Sequence, residues 1–255
     1  MTTQHPLGVQ LYSVRDDLAP EVLPATLARL AGMGFTHVEP YDILGYTEAL
    51  KAAMDGAGLV ATTAHAKIAV FGTDAGLDVD AVLDAAQHLG IGTVLVPWVE
   101  PDTIADRPGV EKLAAAINEA TRHAAQRGIR VGYHNHDFEF SQHIDGVSAY
   151  ELLVSLLDPD VVLEVDTYWA SVGGADVFEL LPRLRDRVRY LHVKNEPPDA
   201  DDPPLLGVDI TGRLPEVIAV SAEFVEMPVV EVVVDEGDVF PVLERNASFF
   251  AGLGR

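Results

Sequence analysis

The sequence predicts an α/β protein, a single (β/α)8 TIM barrel with a parallel eight-stranded barrel inside and helices outside, over residues 1–255. Three observations predict it. Short β-branched runs alternate with amphipathic stretches roughly once every 30 residues. Eight such pairs fit the chain, and right-handed crossovers can close eight parallel units into a barrel. The length of 255 residues matches the ~250 that one such barrel occupies. A doubly wound open sheet, the main rival, would carry a Gly-rich phosphate turn after its first strand. Here the first strand runs into Ser13-Val14-Arg15-Asp16-Asp17.

The elements follow in order. Gly8–Val14 reads as strand one, and Pro20–Met33 as a helix with Val22, Leu23, Leu27 and Leu30 at helical spacing. Thr36–Pro40 is strand two, with a helix at Thr47–Gly56. Val60–His65 is strand three, and the helix Val79–Leu89 stops at Gly90. Thr93–Trp98 is strand four, with a long helix from Val110 to Arg127 that Gly128 ends. Arg130–His136 is strand five, followed by a helix at Ser148–Leu157. Val161–Asp166 is strand six, with a helix at Val177–Arg185. Val188–Val193 is strand seven, with a helix at Arg213–Val220. Val229–Val234 is strand eight, and a helix at Val239–Leu253 closes the pattern. The one polar, Pro-rich break, Asp199–Pro204, follows strand seven and reads as a solvated loop or a lid on the catalytic face.

Composition narrows the function classes. The chain is 48% hydrophobic and has no cysteine, which excludes disulfides and thiolate metal sites. Any metal must be held by His, Asp and Glu, a donor set for one divalent ion such as Mn, Zn, Mg, Co or Fe. The net charge of −23 repels phosphate backbones, and Lys and Arg are scattered, so no nucleic-acid partner is expected. No apolar run approaches the roughly 20 residues of a membrane span. The segment Met1–Gly8 lacks the basic and apolar regions of a signal peptide, so a cytoplasmic location is expected.

A barrel of this kind carries its chemistry where strands end. Strand two ends in Glu39, strand three in His65, strand four in Trp98, and strand five in Tyr133-His134-Asn135-His136. Strand six ends in Glu164-Val165-Asp166 and strand seven in His192-Val193-Lys194, while strand one contributes Gln10 and Tyr12. Strand eight contains Glu231 and runs to Asp235-Glu236. A barrel core refuses so many ionisable groups unless they are paired or bound to a metal. A metal-free polar network is the competing reading.

The stretches Val131–Phe140 (VGYHNHDFEF), Glu164–Trp169 (EVDTYW) and Tyr190–Lys194 (YLHVK) resemble the sugar phosphate isomerase/epimerase group of the xylose-isomerase-like superfamily. So do Gly8–Arg15 (GVQLYSVR) and Ala64-His65-Ala66, and the likeness runs along the whole chain in order. It implies one divalent ion held from strands five to eight, with Asp166 from strand six, His192 from strand seven and Glu231 from strand eight. Asp238-Val239-Phe240 matches the helix opening that follows the strand-eight Glu, and Asp235 or Glu236 is the fallback. On strand five many members carry a Glu that binds metal and moves a proton, whereas this chain has His134. Glu139 is the alternative replacement for that carboxylate. The family often forms dimers or tetramers, which allows a homo-oligomer.

The implied chemistry starts with removal of a proton next to a carbonyl that the ion polarises. Glu231 is the candidate base. Lys194, two residues after His192, shares its face of strand seven and stabilises an oxyanion, protonates a leaving oxygen, or pairs with a neighbouring acid. His65 is a candidate catalytic or hydroxyl-binding group, and Glu39 and His136 are candidates for contact with substrate. Trp98, Trp169 and Tyr12 are candidate walls that stack on a sugar ring, and for Trp169 packing beneath the site is the equal alternative. The expected partner is a small, unphosphorylated carbohydrate, and the expected reaction is isomerisation or epimerisation. Elimination from a keto-inositol or 3-keto-glycoside is the alternative, and a non-catalytic sugar-binding barrel a more distant one.

Overall fold

In the computed structural model the described residues are 6–69, 78–193, 213–233 and 237–253. Lys194, Asp235, Glu236 and the Asp199–Pro204 segment lie outside them. Eight parallel strands form the sheet: β1 (Gly8–Gln10), β2 (His37–Glu39), β3 (Thr63–His65), β4 (Thr93–Val96), β5 (Arg130–His134), β6 (Val162–Asp166), β7 (Val188–Val193) and β8 (Met227–Val230). Their order around the sheet is β2-β1-β8-β7-β6-β5-β4-β3. Between β2 and β3 the contact reduces to two bridges, His37 with Val60 and Tyr41 with His65. The result is a nearly closed barrel, as the alternating pattern predicts.

The helices α1 (Leu23–Gly32), α2 (Thr47–Ala57), α3 (Val79–Leu89) and α4 (Arg107–Ala125) pack outside the first half. The α3 start is set by Asp78, whose side chain accepts from the Ala81 N–H, and its end by Gly90 at φ 80°. Helix α4 starts three residues before the expected Val110, because Asp106 caps the Gly109 N–H and Pro108 fits the first turn. The second half carries α5 (Phe138–Ser141), α6 (Ala149–Leu156), α7 (Thr167–Val172), α8 (Val177–Arg183), α9 (Leu214–Ser221) and α10 (Phe240–Leu253). Helices α5 and α7 were not in the pattern, being too short to show a period. Nor was the ribbon pairing His143–Ile144 with Val147–Ser148, turned by Asp145 and Gly146 at positive φ. Among the described residues no helix is long and apolar enough to cross a membrane.

Several strand ends differ from expectation in a way that matters for the site. Strand β1 stops at Gln10, and Leu11–Asp17 coils into a 3-10 helix, so Tyr12 leaves the sheet. The Gln10 side chain accepts from the Tyr12 N–H and triggers that turn. Strands β4 and β5 end before Trp98 and His136, which therefore sit on the loops above. Glu231 follows the last residue of β8 and does not lie inside it, although its N–H still reaches the Val193 carbonyl at 3.4 Å.

The barrel interior is layered. At the bottom Arg130 donates to both Glu226 oxygens, and the Tyr190 hydroxyl lies 3.1 Å from Thr93. Above it Leu95, Val162, Met227 and Val229 fill the lumen with the Tyr190 ring. Gly132 permits that layer: a Cβ there would fall 2.5 Å from Leu95 Cδ2 and 2.8 Å from the Val162 carbonyl oxygen. The top layer is polar and carries the site. Gly132→Ala is expected to destabilise the barrel by about 1–3 kcal/mol through overpacking; urea unfolding that leaves the midpoint unmoved would contradict it.

Candidate metal centre

Register brings the polar residues together. His134 on β5 lies opposite Glu164 on β6, and Asp166 on β6 lies opposite His192 on β7. The second pairing depends on an irregularity: Leu163 faces Val188, yet Glu164 faces Tyr190, so β7 carries one extra residue there. Without that bulge Asp166 would face Leu191 and not His192. Bulges next to functional sites re-aim side chains in this way. One donor atom each from His134, Asp166, His192 and Glu231 lies within 4.8 Å of all the others. A second, overlapping group joins His65, His134, Glu164 and His192 within the same limit.

Side chains pin the backbone of these strand ends. The Asn135 amide donates to the Asp166 carbonyl (3.2 Å) and accepts from the Asp166 N–H (3.1 Å), continuing the β5–β6 ladder by one rung. Thr167 donates to the His192 carbonyl (3.1 Å), and Ser13 accepts from the Val232 N–H (3.0 Å). Asp166 Oδ1 accepts from the Trp169 N–H and caps α7, which orients the carboxylate with Oδ2 as its other oxygen.

Beneath the four lies a second tier. Glu39, fully buried, accepts from Gln10 Nε2 at 2.9 Å and lies 2.7 Å from His192 Nε2 and 3.1 Å from His65 Nε2. Glu164 Oε2 lies 2.7 Å from His65 Nε2, 3.0 Å from His134 Nδ1 and 3.2 Å from His192 Nε2. Burial alone would push Glu39 up, but the charge of His65 and hydrogen bonds from His192 and His65 hold it well below the carboxylate range. Burial would lower His65, yet the charges of Glu39 and Glu164 push it up to about 9. Burial, reinforced by Glu39, raises Glu164 to about 7. The tier therefore holds an ionised Glu39 against an imidazolium at His65. With Nε2 of His192 turned to Glu39, its Nδ1 faces Glu231 Oε2 at 3.3 Å.

The residues fit a divalent ion. Two imidazoles and two carboxylates, all buried, are a borderline-to-hard donor set. Atoms bound to one ion at about 2.0–2.2 Å lie within about 4.4 Å of one another, and these four lie within 4.8 Å of one another. The outer partner that a metal-bound imidazole needs is present in Glu39. Glu39 Oε2 and Glu164 Oε1 are buried with no hydrogen-bond partner among the described residues, so this pocket of charge has acceptor capacity left over.

Above the cluster opens a cavity of about 710 Å³, lined in part by His65, His134, His136 and Glu231. Tyr12 and Trp98 also line it, and the Trp98 ring meets His136 edge-on at 4.6 Å. Two expected substrate contacts are placed differently. Glu39 does not line the cavity: it is fully buried, with Oε1 turned to His65, His192 and Gln10. Trp169 stands behind His136, 6.2 Å from it, and packs on Tyr168. Glu139 does not join the cluster either: its oxygens accept from the Tyr133 hydroxyl and the His136 N–H, each at 2.8 Å. Sequence reasoning places Glu164 and Asn135 at strand ends but gives neither a role in the site. Spacing of two from Asp166 puts Glu164 on the same face and could have found it. Nothing local marks Asn135, whose partner is backbone 31 residues away.

Residues 27–214 match the model of the xylose isomerase-like TIM barrel family. The chain belongs to that family. An 86-residue stretch is 33% identical to the inosose dehydratase of Geobacillus kaustophilus, covering 33% of this chain and 27% of that enzyme. A sugar phosphate isomerase/epimerase from Parabacteroides distasonis superposes with a TM-score of 0.78 at 22% identity, over 100% of this chain and 96% of that one. A xylose isomerase-like barrel from Mycobacterium smegmatis, in complex with magnesium, superposes with a TM-score of 0.71 at 15% identity, over 99% and 97% of the two chains. The curated dehydratase is thus matched over about a quarter of its length, and the structures share the fold.

Asn135→Ala, which strips two buried backbone groups of their partner, is expected to cost about 1–3 kcal/mol. Unfolding of metal-stripped protein measures it, and a loss under ~0.5 kcal/mol would show that the clamp carries no strain-bearing role. Glu139 gives a pH test. Burial raises it from an ordinary 4.5 to about 7, against the hydrogen bonds from Tyr133 and His136. The folded state holds a proton that the unfolded chain releases earlier. The associated stability is fully present below 4.5 and is lost as pH rises through about 7. Relative to the parent, Glu139→Gln should therefore gain on the order of 2–3 kcal/mol between pH 4.5 and 8. A pH-independent difference would refute the assignment.

Proposed function

We propose that this barrel is a divalent-metal-dependent isomerase or epimerase of a small, unphosphorylated sugar or keto-sugar. The observation that carries the reading is the convergence of His134, Asp166, His192 and Glu231 at the cavity floor. A bound divalent ion would polarise a substrate carbonyl as a Lewis acid and stabilise the enediolate left by proton removal. Glu231 is the one carboxylate of that cluster that lines the cavity, so it removes the proton from the carbon beside the carbonyl. His65 also lines the cavity and, held from below by Glu39 and Glu164, donates to a substrate oxygen. His136 and Trp98 flank the ring, with Tyr12 across the mouth. Lys194, two residues after His192 in the sequence, is the candidate for the developing oxyanion. Support also comes from the isomerase/epimerase likeness of the whole fold.

Elimination of water or of a β-alkoxy group is the second reading, favoured by a specific observation. His136 lines the cavity on the same β5–β8 side as Glu231 and is not one of the four candidate metal ligands, so its imidazole could pass a proton to a departing oxygen. The inosose dehydratase match supports this reading, with a keto-inositol or 3-keto-glycoside as substrate.

Incubation with keto-sugars in deuterated water separates the two. Solvent deuterium at the carbon beside the carbonyl in a product of conserved composition marks isomerisation or epimerisation, whereas loss of one water from a keto-inositol, or of the alcohol from a 3-keto-glycoside, marks elimination. Glu231→Gln is expected to slow exchange by about 10²–10⁴-fold, and exchange at the parent rate would remove Glu231 as the base. Chelation should abolish exchange and added Mn²⁺ or Mg²⁺ should restore it; exchange in rigorously metal-free protein would defeat the metal-dependent reading.

A further inference from the structure

Glu39 on β2, His65 on β3 and Glu164 on β6 close on one another beneath the four candidate ligands. His65 Nε2 lies 2.7 Å from Glu164 Oε2 and 3.1 Å from Glu39 Oε1. Both carboxylates are without exposure, and His65 is 7% exposed. Only half of each carboxylate is engaged. Glu39 Oε1 faces Gln10, His192 and His65, and Glu164 Oε2 faces His65, His134 and His192. Glu39 Oε2 and Glu164 Oε1 have no partner among the described residues.

Unfilled acceptors are rare in a protein interior, and each calls for a group that brings a donor or a positive charge. A water molecule fills a lone pair but brings no charge. His134 and His192, as ligands of an ion above, are neutral rings, which leaves His65 to balance two carboxylates withdrawn from water. One imidazolium falls one charge short, whereas a divalent cation supplies both units at once. The donors suit it, since an imidazole nitrogen and carboxylate oxygens are ligands of zinc and of similar borderline ions. Neighbouring ligands of one such ion lie about 2.8–3.6 Å apart. Carboxylates already 2.7 and 3.1 Å from His65 Nε2 therefore need move little to share an ion with it.

We propose that Glu39, His65 and Glu164 form a second divalent-cation site, for zinc or a metal of its class, beneath the first. The ion takes His65 Nε2, displacing any proton there, together with the free oxygens Glu39 Oε2 and Glu164 Oε1. The engaged oxygens stay with His192 and His134, so the two sites are joined through carboxylates and share no ring nitrogen. His65 is the one member of the three that lines the cavity, and it is the way in for the ion. With Nε2 bound, its remaining N–H is at Nδ1, which fixes the tautomer of a ring at the cavity wall. The second site rests on the metal reading above only for the neutrality of His134 and His192.

Crystals of the metal-stripped 255-residue protein soaked in zinc, with anomalous diffraction recorded at the zinc edge, test it alongside zinc counted per chain by elemental analysis. Two ions are expected, one bounded by Glu39, His65 and Glu164 and one by His134, Asp166, His192 and Glu231. Glu164→Gln is expected to weaken the lower ion by more than the about 10–100-fold that loss of an outer partner costs. At a zinc concentration that fills both sites of the parent, that variant should keep only the upper ion. Anomalous density at the upper ligands alone, with one zinc per chain, overturns the second site and leaves the proposed chemistry standing. Density between Glu39, His65 and Glu164 with none above upholds the second site and overturns the metal centre that the proposed chemistry uses. Zinc found only on the acidic surface overturns both, and a folded Glu164→Gln protein that keeps both ions overturns the second site. Should that variant fail to fold, the map of the parent decides by itself.

Discussion

Two carboxylates, Glu39 and Glu164, sit without any exposure under the mouth of the barrel. Removing an ionised carboxylate from water costs several kcal/mol unless partners replace the solvent. Here the partners are imidazoles: His65 touches both carboxylates, His192 touches both, and His134 touches Glu164. The pairing dictates which ring nitrogen of His192 remains for the upper tier, because Nε2 is engaged with Glu39. Orientation of a candidate ligand is thus a by-product of neutralising buried charge. Hydrogen-bonded carboxylates behind metal-binding histidines act in this way generally.

The rest of the barrel holds that arrangement in place from the backbone side. A one-residue bulge on β7 aligns Asp166 with His192, and the Asn135, Thr167 and Ser13 side chains tie down the strand ends as the ladders run out. Below, the absence of a side chain at Gly132 lets Leu95 and Val162 close the lumen two residues beneath His134. The apolar floor, the charged middle tier and the open mouth are consecutive layers of the same strands, as strand alternation requires.

At the mouth the two halves of the barrel diverge. Around the cavity, His134, His136 and Glu231 come from the β5–β8 side, while Tyr12, Asp42, Leu44, His65, Lys67 and Trp98 come from the side of β1–β4. The negative surface adds a selection of its own, since a net charge of −23 disfavours anionic ligands at long range.

Periodicity determined the fold: eight β-then-α repeats, with the ends of α3 and the start of α4 written locally by Asp78, Gly90 and Asp106, because capping and hydrophobic spacing act within a few residues. Residue type at strand ends, together with the family likeness, also pointed to His134, Asp166, His192 and Glu231, which the folded chain brings within reach of one another. Other features depended on partners far along the chain. Whether Glu39 meets substrate or supports His192 is decided by a contact across 153 residues. That Glu139 turns to Tyr133 and His136, that Trp169 stands behind the cavity, and that β7 bulges are likewise decided by packing between strands. Sequence determined which residues reach the barrel mouth, and tertiary structure decided which of them face the cavity, since burial and pairing are set by neighbours that no local pattern encodes.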